Sequence, residues 1–124
     1  MLRDAHLSGF IATTDPEAAQ AFYGGLLGLT LVDASPFAVV FDVNGTHLRV
    51  TTVEDAVVAP YTVLGWEVDD IAAEVAQLTE RGVTFERFPG MEQDGLGIWN
   101  APDGAKVAWC KDPEGHVLSL AQQP

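Results

Sequence analysis

The chain has 124 residues, one cysteine (Cys110), and 18 Asp and Glu against 6 Lys and Arg, a net charge of −12. That length suits one domain with its own core. A lone cysteine excludes an intrachain disulfide and fits a reducing compartment, and the acidic balance disfavours nucleic acid and anionic membranes as partners. No stretch approaches the roughly 20 apolar residues of a membrane span and no leader pattern opens the chain, so a soluble cytoplasmic protein is expected.

Leu7 to Thr13 has strand character. Asp15 then offers an N-cap acceptor and Pro16 a first helical residue that needs no amide proton, which predicts a helix from Pro16. Ala19, Phe22, Tyr23, Leu26 and Leu27 recur at helical spacing, with Gly24 and Gly25 weakening the helix and Gly28 ending it. Strands are predicted at Leu29 to Asp33, Phe37 to Val43 and Thr46 to Val53. Asn44-Gly45 signals a two-residue type I′ turn, because both positions tolerate positive φ. Pairing outward from that turn sets Asp42 opposite His47 and Val40 opposite Arg49.

After a short connection, Ala56 to Pro60, the pattern starts again with a strand from Tyr61 to Val68. Asp70 is a second N-cap, Ile71, Val75 and Leu78 share a helical face, and Gly82 closes the helix. Strands follow near Thr84 to Phe88, Gly97 to Asn100, Lys106 to Lys111 and Val117 to Ala121. Ala101-Pro102-Asp103-Gly104 permits two closures. A two-residue turn at Asp103-Gly104 would pair Trp99 with Ala108. A three-residue loop pairs Ala101 with Ala105, Asn100 with Lys106 and Trp99 with Val107, which sets Trp99 on the face of Trp109. The second is predicted, because Pro102 suits the second position of a type I turn and Gly104 the positive-φ residue after it.

Strand, helix and further strands thus occur twice, over about 5–55 and 60–122, with Asp15 and Asp70 as matching caps. This order, the Leu27-Gly28-Leu29 exit and Asp112-Pro113-Glu114-Gly115 before the terminal strand resemble the vicinal oxygen chelate superfamily of glyoxalases, bleomycin-resistance proteins and extradiol dioxygenases. His116 stands where many relatives have Asn. The resemblance implies an α+β fold over 1–124 as a single domain, its two βαβββ units forming a cup-shaped mixed sheet with helices on the outer face, and a homodimer.

Within such a cup, strand alternation turns Ser8, Phe10 and Ala12 inward and Leu7 and Ile11 to the core. It turns Val63, Gly65 and Glu67 inward against Leu64, Trp66 and Val68, and Val107, Trp109 and Lys111 inward against Ala108 and Cys110. The superfamily's metal-ligand positions correspond to Ser8, Arg49, Val63 and Ser119, which offer neither carboxylate nor imidazole to a divalent cation. No metal or cofactor is expected. His6 and His47 lie two residues before Ser8 and Arg49, and a shifted site built on them would still need a third ligand.

The expected function is metal-independent binding of a small molecule, as in drug or metabolite sequestration. Its ligand-facing residues are Ser8, Phe10, Val40, Asp42, His47, Arg49, Val63, Glu67, Trp99, Trp109 and Ser119. Asp42, His47 and Arg49 either satisfy one another, each charge favouring its partner's charged form, or Arg49 holds a ligand anion. Trp109 either fills the cup or stacks a planar ligand. The alternative is an enzyme, lyase, isomerase or dioxygenase-like, with acid–base chemistry on Asp42, His47 or Glu67 or with a metal at the shifted site.

Overall fold

Asp15 and Asp70 start the two helices in the same way. Each has an extended backbone (φ −137°), and its carboxylate accepts a 3.1 Å hydrogen bond from the amide of Ala18 or Ala73, three residues on. An otherwise unpaired first-turn donor is thereby satisfied. The two helices belong to two units, Met1–Val57 and Val58–Pro124, of a computed structural model that describes residues 1–124.

The first unit contains β1 (Ser8–Thr13), α1 (Pro16–Gln20), a π-helical turn (Ala21–Leu26), β2 (Thr30–Ala34), β3 (Ala38–Val43) and β4 (Thr46–Thr52). The sheet order is β1-β4-β3-β2, with β1 parallel to β4 and the other neighbours antiparallel. Asn44 (φ 50°) and Gly45 (φ 92°) make the predicted hairpin turn, and Asp42 pairs with His47 and Val40 with Arg49. Val39, Phe41, Leu48 and Val50 are buried on one face of the sheet. The Tyr23 ring lies 6.1 Å from that of Phe41 and 5.1 Å from that of Phe22.

Two expectations need correction here. The first helix keeps α geometry only to Gln20 and then widens, the Leu27 amide bonding the Phe22 carbonyl at 2.9 Å. Gly24 accounts for the position of the change: a Cβ there would come within 3.3 Å of the Phe41 ring, so the missing side chain lets the helix sit close on the sheet. Leu7, assigned to the core by alternation, is 77% exposed, because it precedes β1.

The second unit repeats the topology with β5 (Thr62–Glu67), α2 (Ile71–Glu80), β6 (Trp99–Asn100), β7 (Lys106–Lys111) and β8 (Val117–Gln122) in the order β5-β8-β7-β6, β5 parallel to β8. Gly82 (φ 108°) ends α2: its amide bonds the Thr79 carbonyl and that of Val83 bonds Leu78, both pairs of a Schellman cap. Ile71, Val75, Ile98, Ala108 and Leu120 form the core, with Trp66, Val68, Leu78 and Phe85 packed against it. Cys110 is buried as expected, and burial, helped by the nearby charges of Glu86 and Asp112, pushes its thiol up to about 12.

The strand predicted at Thr84 to Phe88 is not formed, and that at Gly97 to Asn100 shrinks to Trp99–Asn100. Only a single bridge joins Phe85 to Cys110. Side chains serve this backbone instead. The Gln93 amide accepts from the Phe88 N–H (2.8 Å) and donates to the carbonyls of Glu86 (2.9 Å) and Gly97 (2.8 Å). Arg87 donates to the carbonyls of Asp94 and Gly95, and Asp94 accepts from the amides of Leu96 and Ile98. The fold is α+β, built of two βαβββ units, and no helix is long and apolar enough to cross a membrane.

Candidate functional site

Each sheet buries one face under its helix, so the candidate residues stand on the opposite faces. In the first unit, register aligns Ser8 with His47 and Asp42, and Phe10 with Arg49 and Val40. Val40 is buried and Asp42 half-buried, whereas Ser8, His47 and Arg49 are exposed and Phe10 is 70% exposed. Of the two alternatives for Asp42, His47 and Arg49, mutual pairing is not formed. No ion pair or hydrogen bond joins Asp42 to His47 or Arg49, and with His47 and Arg49 exposed such a pair would gain little. The Arg49 guanidinium is exposed and takes part in no salt bridge.

In the second unit, register aligns Gly65, Ser119 and Trp109 across β5, β8 and β7, and Glu67, Ala121, Val107 and Trp99 across all four strands. Trp99 pairs with Val107 and the Ala101 amide bonds the Ala105 carbonyl, so the three-residue loop is the one formed. The two indoles consequently share a face, 6.1 Å apart and inclined at 36°. Trp66 packs into the core instead. Glu67 is exposed, and its carboxylate accepts a 3.1 Å hydrogen bond from the Gln123 amide. Val63 sits at a register shift, where alternation breaks, and is 44% exposed.

Two residues of this surface, Phe88 and Gln93, were not legible as such, and the role of a third, Gly65, was not. Phe88 sets its edge against Trp109 at 5.4 Å, extending the aromatic pair to a trio. Gln93 fixes the backbone that carries Phe88. Gly65 has no side chain because a Cβ there would lie 2.8 Å from the Ser119 hydroxyl. Beside the trio, a cleft of ≈ 720 Å³ is lined by Trp99, Asn100 and residues 90–94, a size in the small-molecule range of about 300–1,000 Å³.

The residues at the superfamily's metal positions do not fit a divalent cation. Ser8 and Ser119 offer neutral hydroxyls, Val63 nothing and Arg49 a fixed positive charge. No group of three or more His, Cys, Asp or Glu side chains is arranged to hold an ion, so a site shifted onto His6 and His47 has no third ligand of these types.

Residues 5–120 match the model of the Glyoxalase/Bleomycin resistance protein/Dioxygenase superfamily. No curated protein matches the chain. Among solved structures, TnmS3, an antibiotic binding protein from Streptomyces sp. CB03234, is 24% identical with a TM-score of 0.76, covering 100% of this chain and 99% of its own. A glyoxalase family protein from Bacillus anthracis is 15% identical (TM-score 0.75, 98% and 96% covered). Lactoylglutathione lyase from Agrobacterium tumefaciens is 20% identical (TM-score 0.71, 96% and 93% covered). Such identities speak for the fold alone, whereas the family model spans nearly the whole sequence. The chain belongs to the Glyoxalase/Bleomycin resistance protein/Dioxygenase superfamily.

Proposed function

We propose that this protein binds a planar small molecule without the help of a metal ion, as a sequestering protein for a drug or metabolite. The observation that carries this reading is the Trp99–Trp109 pair with Phe88 at its edge, set on the sheet face that the helix leaves open. An aromatic pair of this kind offers stacking worth about 0.5–1.5 kcal/mol per contact beyond area burial. The donor-poor metal positions and the antibiotic-binding TnmS3 among similar folds support the same reading. Ser8, Phe10, Val40, Asp42, His47, Arg49, Val63, Glu67 and Ser119 remain the further ligand-facing candidates, Arg49 as an anion anchor. Enzymatic acid–base chemistry has less support, since Asp42 and His47 share no hydrogen bond and Glu67 is engaged by Gln123. A cytoplasmic homodimer is part of the proposal, and sedimentation measures its mass.

A thermal-shift screen of planar aromatics in the presence of EDTA is the test. The expected result is a hit whose shift survives chelation and falls in Trp109→Ala. Hits that need added divalent metal, or that ignore Trp109→Ala, would contradict the proposal.

A further inference from the structure

Ser119 is the centre of the row Gly65–Ser119–Trp109, flanked directly by β5 and β7. Its hydroxyl makes no hydrogen bond to the protein, and it is not sealed into the core: Ser119 is half-buried on the open face. The neighbouring strand gives it room. A Cβ at position 65 would fall 2.8 Å from the Ser119 oxygen, closer than real Cβ atoms approach, so any residue but glycine would push the hydroxyl away. Gly65 has an ordinary strand conformation rather than a positive φ, so backbone freedom does not explain it. What the glycine preserves is the position of one uncommitted hydroxyl, one strand from an indole.

The two nearest cations are already engaged by the protein. Lys111, two residues from Trp109, reaches Glu86 at 3.5 Å, and the Arg87 guanidinium is held by the carbonyls of Asp94 and Gly95. In the row of Trp109 itself the polar group is the neutral Ser119 hydroxyl, which can donate to a carbonyl or accept from a hydroxyl.

We infer that Ser119, kept in place by the absence of a side chain at Gly65, hydrogen-bonds an oxygen substituent on the edge of a planar aromatic ligand whose ring lies on Trp109. The ligand class is thus an oxygenated arene, phenol-like or quinone-like, rather than a plain hydrocarbon ring. This inference rests on the proposed role of the Trp99–Trp109 face and adds the group that selects among planar molecules.

Equilibrium dialysis of the full chain against naphthol and against naphthalene tests it through the ratio of the two dissociation constants. Ser119→Ala should shift that ratio toward naphthalene by roughly threefold to tenfold, the effect of one net hydrogen bond. Gly65→Ala should shift it the same way although Ser119 is still present, an outcome that a purely structural serine would not produce. Circular dichroism confirms that each variant is folded, and either variant alone suffices if the other is not. A ratio unchanged in the folded variants, with binding still weakened by Trp109→Ala, would overturn the role of Ser119 and leave the aromatic face standing. If neither probe binds, or both bind Trp109→Ala as well as the parent, the aromatic face and this inference fall together.

Discussion

Replacing Gln93 by Ala should destabilise the second unit more than any exposed polar substitution in the chain. Its carboxamide makes three hydrogen bonds of 2.8–2.9 Å to the backbone of Phe88, Glu86 and Gly97, where a strand ladder is missing. Each such bond contributes about 1 kcal/mol net, and the part-buried backbone groups left behind recover only some of it from water, so the loss is about 2–4 kcal/mol. For a chain of this length, with an unfolding entropy of about 2.1 cal/mol/K per residue, that lowers Tm by about 8–15 °C. Differential scanning calorimetry reads the shift, and the emission of Trp109 should change with it, because Gln93 holds the backbone of the Phe88 that packs edge-on against that indole. Gln93→Glu adds a signature of its own. It places an acceptor where an amide nitrogen faces two carbonyls, so the variant is weakest at neutral pH. The introduced carboxyl favours its protonated, donating form in the fold, and the deficit relative to the parent should shrink as pH falls toward about 4. A Tm within 2 °C of the parent for Gln93→Ala, or a Gln93→Glu deficit that grows on acidification, would refute the assignment of the loop's order to this side chain.

Four other outcomes are expected. Gly82→Ala forces an L-residue to φ 108° at the Schellman cap and should cost about 1–2 kcal/mol in urea denaturation. Cys110, buried with its thiol pushed up to about 12, should resist alkylation at pH 8 in the folded protein and react at once in denaturant. Because the folded thiol titrates above its ordinary 9.0, the protonated form contributes stability that is intact below about pH 9 and lost as pH rises toward 12, which urea midpoints across that range would register. Asp112→Ala removes an acceptor for the amides of Glu114, Gly115 and His116 ahead of β8, and an unfolding free energy lowered by about 2–3 kcal/mol in urea titration is expected.

Most of the fold was legible because its punctuation is local. Asp15 and Asp70 cap helices through their own carboxylates, Asn44-Gly45 dictates a turn, and Pro102 with Gly104 selects the loop that brings Trp99 beside Trp109. Strand alternation then assigned Trp66 to the core and both other indoles to the open face. The failures arose where tertiary contacts decide. Nothing in the spacing of Gly24 and Gly25 announces a π-helical turn, since the cause is the Phe41 ring across the unit. Thr84 to Phe88 has strand composition, yet Gln93 and Arg87 satisfy its loop from outside the ladder. Asp42, His47 and Arg49 were aligned correctly, but register fixes only where side chains start and left open whether they pair, which they do not. Alternation placed Gly65 on the inward face, but a glycine inside a strand marks close approach without saying of what.

The central claim is that a planar ligand meets the chain on the Trp99–Trp109 face without a metal ion. Fluorine NMR of the protein labelled with fluorotryptophan gives one resonance for each of its three tryptophans, Trp66, Trp99 and Trp109. Titration with naphthol after exhaustive dialysis against EDTA should move the Trp99 and Trp109 resonances along one saturable curve and leave core-packed Trp66 in place. A response confined to Trp66, or one that emerges only when a divalent metal is restored, would contradict it.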